Sequence, residues 1–305
     1  MIGLSLGWRE RDAVFIAVQH AGQRLAGVGT LGWEDPNGEW RAVEPADAAR
    51  LTWSGETAFL QPVWTAIAPG IEVADLQFAR PPVPQTVTLA LVRVVPTEVR
   101  LRVVGYADWS EHPISDFADT WQFQVTLNAS FFSDEGPIGL VVQDGKVRHR
   151  QASRKAAHFL IDTQGGPARI INLKGAHIGA PYAGFQGFPS IMSGGKLFSY
   201  IRSGGRGFDV FKVERRTAAC VDAAGRVIFL ATDTLTNGLA FSELGVVIGG
   251  LGCVDAMGFD GGSSTAMEIR VPGHERLVRG FKPVQVVVGV EARGASPGAG
   301  QTTPP

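Results

Sequence analysis

The sequence predicts an α+β fold built on mixed or antiparallel β-sheet, with a few covering helices and a β-rich N-terminal part. Three observations lead there. The chain holds 39 glycines and 18 prolines in 305 residues, which calls for many turns and short elements and disfavours a helical bundle. Runs rich in β-branched residues recur between Gly or Pro breaks. Stretches with helical spacing are few and short.

In chain order, Ala13 to Gln19 and Gln85 to Val94 are β-branched runs bounded by breakers, and Val99 to Val104 alternates apolar with polar, so all three read as strands. The Pro81 to Pro84 run is a stiff, non-helical connection. It suggests a seam between a β-rich segment, 1–80, and a main body, 81–291. Ser115 can cap a short helix that places Phe117, Ala118 and Trp121 on one side, and a buried strand, Val125 to Asn128, follows. Gly139 to His149 holds two β runs around Asp144-Gly145, a strong hairpin signal, and Cys220 to Asp233 repeats the pattern around Ala224-Gly225. Ser242 to Cys253 has apolar residues at 244, 247, 248 and 251 behind a cap residue, Ser242, the spacing of an amphipathic helix that packs on a sheet. The tail, 292–305, lacks apolar anchors and reads as disordered.

Composition removes several classes of function. With 28 Lys+Arg against 29 Asp+Glu the chain carries no polyanion-binding charge, so nucleic acid is not an expected partner. The longest apolar stretch, Leu244 to Phe259, is broken by Asp255 and is shorter than the about 18 residues a spanning helix needs. No transmembrane segment is expected. Two cysteines, Cys220 and Cys253, allow at most one disulfide. The six histidines show no paired ligand spacing, so neither a structural zinc nor any other cofactor is expected, although oxygen-rich loops could take a hard cation such as calcium. The N-terminus has no basic region ahead of an apolar run, so an exported protein is expected only with its signal removed, and a cytoplasmic one if Met1 is the native start.

Three segments could carry chemistry. In Ala256 to Glu268 an apolar run ends in Asp260, then Gly261, Gly262, Ser263, Ser264 and Thr265. Two glycines let the backbone approach a ligand, and the hydroxyls and amides can donate to a developing oxyanion; the plainer role is a turn in which Asp260 caps local N–H groups. Arg215 or Arg216, ahead of a strand that opens with Thr217, could grip a phosphate with a planar fork, or simply flank a hairpin. Asn128 ends an apolar strand before Phe131 and Phe132. Its amide could bind sugar and phosphate together, or hold a turn.

Taken with Gln186 to Lys196, these segments resemble the phosphodiester glycosidase family. That family shows an asparagine, two small residues and two phenylalanines, then Q-x-x-P leading to a Gly-Lys turn, then Arg-Thr-Ala opening a hairpin, then Asp-Gly-Gly with serines. Here they stand at Asn128 to Phe132, Gln186 to Pro189, Arg216 to Ala218 and Asp260 to Thr265, and Pro69 to Val73 is similar to the family's opening segment. The likeness runs over about residues 64–290. The chain departs at Ser130, Cys220 and Ser263, where the family usually has Gly, Gly, and Gly or Pro.

The resemblance implies hydrolysis of the sugar–phosphate bond of a sugar-1-phosphodiester, with a cell-surface glycan as an expected setting. Such a leaving group is already an anion of low basicity, so its departure needs charge stabilisation more than a strong acid. Arg216 and the Gly261 to Thr265 loop suit that role. An oxocarbenium-like transition state also calls for a carboxylate as nucleophile or base: Asp260 first, with Asp233 and Glu268 behind it. Asn128 and Thr217 would position the substrate and Gln186 would line the pocket. The competing expectation is a non-catalytic glycan-binding protein on the same fold, because all seven tryptophans precede residue 122 and could form a platform.

Overall fold

Every strand pairing among the described residues is antiparallel. The computed structural model describes residues 62–80, 83–150, 157–172, 178–203, 209–235 and 237–293, with the backbone alone of 32–34 and 40–42. The strands form a ten-stranded sheet, two five-stranded sheets and a two-stranded ribbon. Among the described residues three α-helices accompany them, Ile114–Trp121, Ser199–Ser203 and Phe241–Gly250. Among the described residues the architecture is mostly β with antiparallel sheets, which bears out the expected sheet core in its antiparallel form and the α+β class with covering helices only in part. High Gly and Pro content and β-branched runs favour hairpins, which pair neighbours antiparallel.

Alternation along the strands builds the centre. Val227, Phe229 and Ala231 point one way and Ile228 and Leu230 the other, as a period of two requires. The first set joins Val92 and Met257 of the large sheet, Phe159 and Phe185 of one smaller sheet, and Leu127 and Val288 of the other in one core. Phe159, Phe185, Phe229 and Phe259 form an aromatic cluster there, with Phe185 and Phe259 edge to face at 4.7 Å. Each such buried ring contributes about 1.5–3 kcal/mol. Phe259 also anchors the base of the segment that begins at Asp260, its ring held in the cluster while the chain leaves the core.

Outer faces are covered locally. Leu244, Val247 and Ile248 of the helix Phe241–Gly250 pack on Ala218, Leu230 and Ala256, and Ile114, Phe117 and Trp121 pack on Val104 and Val287. Cys220 and Cys253 form a disulfide between the neighbouring strands Thr217–Asp222 and Cys253–Gly258.

Both expected hairpins are present. Asp144 and Gly145 take φ of 50° and 73° between Val141–Gln143 and Lys146–His149, the double left-handed turn that Asp-Gly favours. Asp222 Oδ1 accepts the Ala224 and Arg226 N–H groups in the second. The helix caps differ from expectation. Pro113, rather than Ser115, precedes the first helix. Ala240 caps the helix of the large sheet, its N–H taken by Glu243 Oε2 at 2.8 Å, so Ser242 lies one turn position inside. Glu243 reaching back to satisfy an otherwise orphaned N–H outweighs the cap preference of serine.

The Pro81 to Pro84 run follows Ile71–Arg80 and overlaps the start of Val83–Val94, strands that pair along their length in one sheet, so a boundary at residue 80 separates adjacent strands. The expected strand Ala13 to Gln19 and the tail from 294 lie outside the described residues.

Candidate active site

Three strands end together, and Asn128 is the tie. Its side-chain nitrogen donates to the Asp260 carbonyl oxygen at 2.7 Å. Its Oδ1 accepts from the Thr217 hydroxyl at 2.8 Å and from the Ala266 N–H at 3.0 Å. Asn128 is fully buried, so an amide at this position must find such partners, and those within reach belong to three separate strand ends. The backbone repeats the connection: Asp260 N–H donates to Ala129 O at 3.0 Å and Phe259 N–H to Thr217 O at 2.9 Å. Asn128, Thr217 and Asp260, far apart in sequence, therefore share one locus at the rim of the central core, and Arg216 adjoins it only through its chain position next to Thr217. The side chain of Asn128 is used in holding that locus together.

The loop from Asp260 closes on itself. Asp260 Oδ1 accepts the Gly261 N–H at 3.0 Å. Gly262 N–H donates to Arg215 O at 2.9 Å, Ser264 N–H to Gly261 O at 3.2 Å, and Thr265 N–H to Gly262 O at 3.3 Å. Gly262 sits at φ +63°, a conformation that a glycine adopts without strain. These bonds narrow the expected donor cluster. Of the loop's five amides after Asp260, three bond within the loop and one bonds Arg215 O, whereas the Ser263 N–H has no hydrogen bond among the described residues. The carboxylate of Asp260 is half-buried, and Thr265 Oγ1 is buried without a hydrogen-bond partner among the described residues. The Ser263 carbonyl accepts from both Phe281 N–H (2.7 Å) and Lys282 N–H (3.0 Å).

Arg215 and Arg216 point to opposite faces of the sheet. Arg216 lies on the side of the helix Phe241–Gly250, its guanidinium 3.8 Å from the Phe241 ring centroid. Nε donates to Leu239 O at 2.9 Å, Nη2 to Lys212 O at 2.5 Å and Nη1 to Glu214 Oε2 at 3.3 Å. Every nitrogen of the expected phosphate clamp thus has a protein acceptor. Arg215 lies over the Phe281 ring at 5.0 Å, with one hydrogen bond, Nη2 to Thr232 O at 3.3 Å. Burial pushes both guanidinium pKa values down to about 10, opposed by Asp233 at Arg215 and by Glu214, Glu243 and Asp209 at Arg216. Both remain cations at neutral pH.

The remaining candidates divide. Gln186 is fully buried and its Oε1 accepts the Leu140 N–H at 3.0 Å. Two residues later Phe188 N–H donates to Gly258 O, and Gly258 N–H to Pro189 O, so the Q-x-x-P segment runs beside the end of the strand Cys253–Gly258 that leads to Asp260. Asp233 is bound by Arg276 at 2.7 and 3.2 Å. Glu268 is bound by Arg270 at 2.8 Å, on the face of its strand away from the central core, where Arg270 also reaches Ser115 O and Asp119. These two carboxylates are committed to ion pairs of their own. Phe281 and Lys282 had no sequence signal, since nothing local marks a residue that reaches a loop about twenty positions earlier.

Among the described residues no three His, Cys, Asp or Glu side chains cluster as a metal site, and no helix is long and apolar enough to cross a membrane. Trp64 lies under the Arg93 guanidinium, Trp109 packs on the central core and Trp121 is buried beside Phe117. The other four tryptophan side chains lie outside the described residues.

A family model described as phosphodiester glycosidase matches residues 122–291, a span that contains all four motif segments. No curated protein is a significant sequence match. Among solved structures, the catalytic domain of zebrafish N-acetylglucosamine-1-phosphodiester alpha-N-acetylglucosaminidase, auto-inhibited by its pro-peptide, superposes with a TM-score of 0.60 at 17% identity, over 76% of this chain and 87% of that one. A hypothetical protein from Synechocystis superposes with a TM-score of 0.53 at 15% identity, over 73% of this chain and 62% of that one. At these identities the likeness is one of fold.

Proposed function

The chain belongs to the phosphodiester glycosidase family, and from that premise we propose that it hydrolyses the sugar–phosphate bond of a sugar-1-phosphodiester. The observation that carries the reading is the tie made by Asn128, which holds Thr217, Ala266 and Asp260 at one locus. In this reading Asp260 is the reacting carboxylate. It takes a proton from water as that water attacks the anomeric carbon; the C–O bond breaks, and the phosphomonoester leaves with the bonding electrons. The leaving group is weakly basic, so the step requires anion stabilisation rather than a strong acid. The half-buried Ser263, whose amide is uncommitted among the described residues, faces that task with the loop hydroxyls.

Asn128, Thr217 and Arg216 are positioning residues in this scheme, and Gln186 supports the neighbouring segment. Arg216 braces the chain at Lys212, Glu214 and Leu239 behind the loop. A polymeric cell-envelope glycan is the substrate class that suits an exported enzyme, and the Cys220–Cys253 disulfide supports export, since such bonds persist in oxidising compartments.

Incubation with a panel of sugar-1-phosphodiesters tests the proposal. Free sugar and phosphomonoester released together support it. Sugar-1-phosphate as product means P–O cleavage and refutes it, and saturable binding without turnover turns the reading to a non-catalytic glycan-binding protein.

A further inference from the structure

Arg215 is a buried cation whose donors are not answered. It is 1% exposed, and neither Nε nor Nη1 has a hydrogen-bond partner among the described residues. Leaving such donors unpaired away from water is costly, more so on a charged group. The carboxylate that acts on it, Asp233, is itself bound by Arg276 at 2.7 Å. Arg216, one residue on, has an acceptor at every nitrogen. The contrast is between an arginine bonded at every nitrogen and one with two unpaired donors.

A second cation stands nearby. Lys282 is half-buried, its Nζ 4.5 Å from the Phe132 ring centroid, and no carboxylate lies within ion-pair distance of it among the described residues. Arg215 and Lys282 are joined through one point of the candidate loop. The ring over the Arg215 guanidinium belongs to Phe281, and the amides of Phe281 and Lys282 both donate to the Ser263 carbonyl. The Arg215 carbonyl accepts from Gly262. The backbones of two residues whose cations form no ion pair among the described residues thus both bond the loop at Gly262 and Ser263, the residue whose own N–H is uncommitted.

We propose that Arg215 and Lys282 are the cations that bind the substrate's phosphate, Arg215 from beneath Phe281 and Lys282 at the rim, with the Phe281 ring moving aside as the anion enters. The inference rests on the phosphodiester reading above and assigns its charged contacts to residues other than Arg216. A guanidinium with unpaired nitrogens can take phosphate oxygens through charge-assisted hydrogen bonds without first breaking protein contacts.

The test titrates the full chain, Arg215→Met and Lys282→Met with inorganic phosphate by calorimetry, alongside KM for a sugar-1-phosphodiester and a thermal scan. Loss of a charge-assisted contact weakens phosphate binding about 30-fold in Arg215→Met and about 5-fold in Lys282→Met. Tm should not fall in Arg215→Met, because methionine of similar length removes a buried charge with unpaired donors, nor in Lys282→Met, where the side chain is half-buried at the rim. Unaltered phosphate affinity in both variants overturns the assignment, as does a parent chain that binds no phosphate. If Arg215→Met does not fold, Lys282→Met, a change at the rim, decides alone by the same criterion. Turnover with unchanged KM in the variants removes the cation pair and leaves the hydrolase standing. Phosphate binding that needs Arg215 in a chain without turnover keeps the pair and removes the hydrolase.

Discussion

Arg216→Ala separates a structural from a catalytic use of this side chain. The guanidinium is 7% exposed and donates to Leu239 O, Lys212 O and Glu214 Oε2 while stacking on Phe241. Truncation removes three charge-assisted bonds. The Leu239 carbonyl keeps a second partner, the Glu214 N–H at 3.3 Å, and Glu214 is partly solvated, so the losses do not sum in full. Breaking a buried pair of this kind costs about 3–5 kcal/mol, which for a domain of this size lowers Tm by about 6–15 °C. Arg216→Lys keeps the charge and one acceptor, and should lose about half as much. Thermal scans and urea unfolding followed by tryptophan fluorescence measure both. If Arg216→Ala melts within about 2 °C of the parent yet has lost turnover, the brace is not structural and the arginine belongs to the phosphate after all.

The same contacts set three further outcomes. Asp260→Asn keeps shape and the bond from the Gly261 amide but not the charge, so turnover should fall about 100- to 10,000-fold with binding preserved; NMR of the freshly released sugar reads inversion for a base and retention for a nucleophile, and full activity rules out both. Asn128→Ala cuts three bonds to three strand ends and should cost about 2–4 kcal/mol in urea unfolding together with a drop in kcat; a stability loss with kcat intact would mean that the tie does not position Asp260. Gly238→Ala would drive a Cβ into the Glu214 carbonyl oxygen, at the bridge that carries two of the Arg216 acceptors, and should destabilise by about 2–3 kcal/mol; an unaltered Tm would show that the bridge can open without cost.

Local chemistry was readable where its cause was local. Asp144-Gly145 specified its turn through two positive φ angles, the strand Val99–Gly105 followed from side-chain alternation, and Val125–Asn128 is the buried strand expected after the short helix. The helix caps failed for a related reason. A serine before an apolar run signals a cap only if nothing nearby serves better, and Glu243, reaching back to Ala240, served better. Among the carboxylates, Glu268 and Arg270 stand two apart on one extended stretch and so share a side, which the sequence contains. Asp233 and Arg276 are 43 residues apart, and no spacing rule joins them.

The two arginines mark where sequence reasoning reaches its physical limit. Adjacent residues entering a strand must point to opposite faces, so the sequence requires one of Arg215 and Arg216 to face the central core and the other the covering helix. Which is which depends on register, and a slip of one residue exchanges them. Register here is fixed at a distance: Ala219 pairs with Phe229 on one side and Met257 on the other, and those residues enter the aromatic core. The motif identifies the position of Arg216 in the chain, but the packing of Phe229 and Phe259 decides that its guanidinium turns towards Phe241. The unanswered charge then falls to Arg215, on the side of Phe281 and the Ser263 turn.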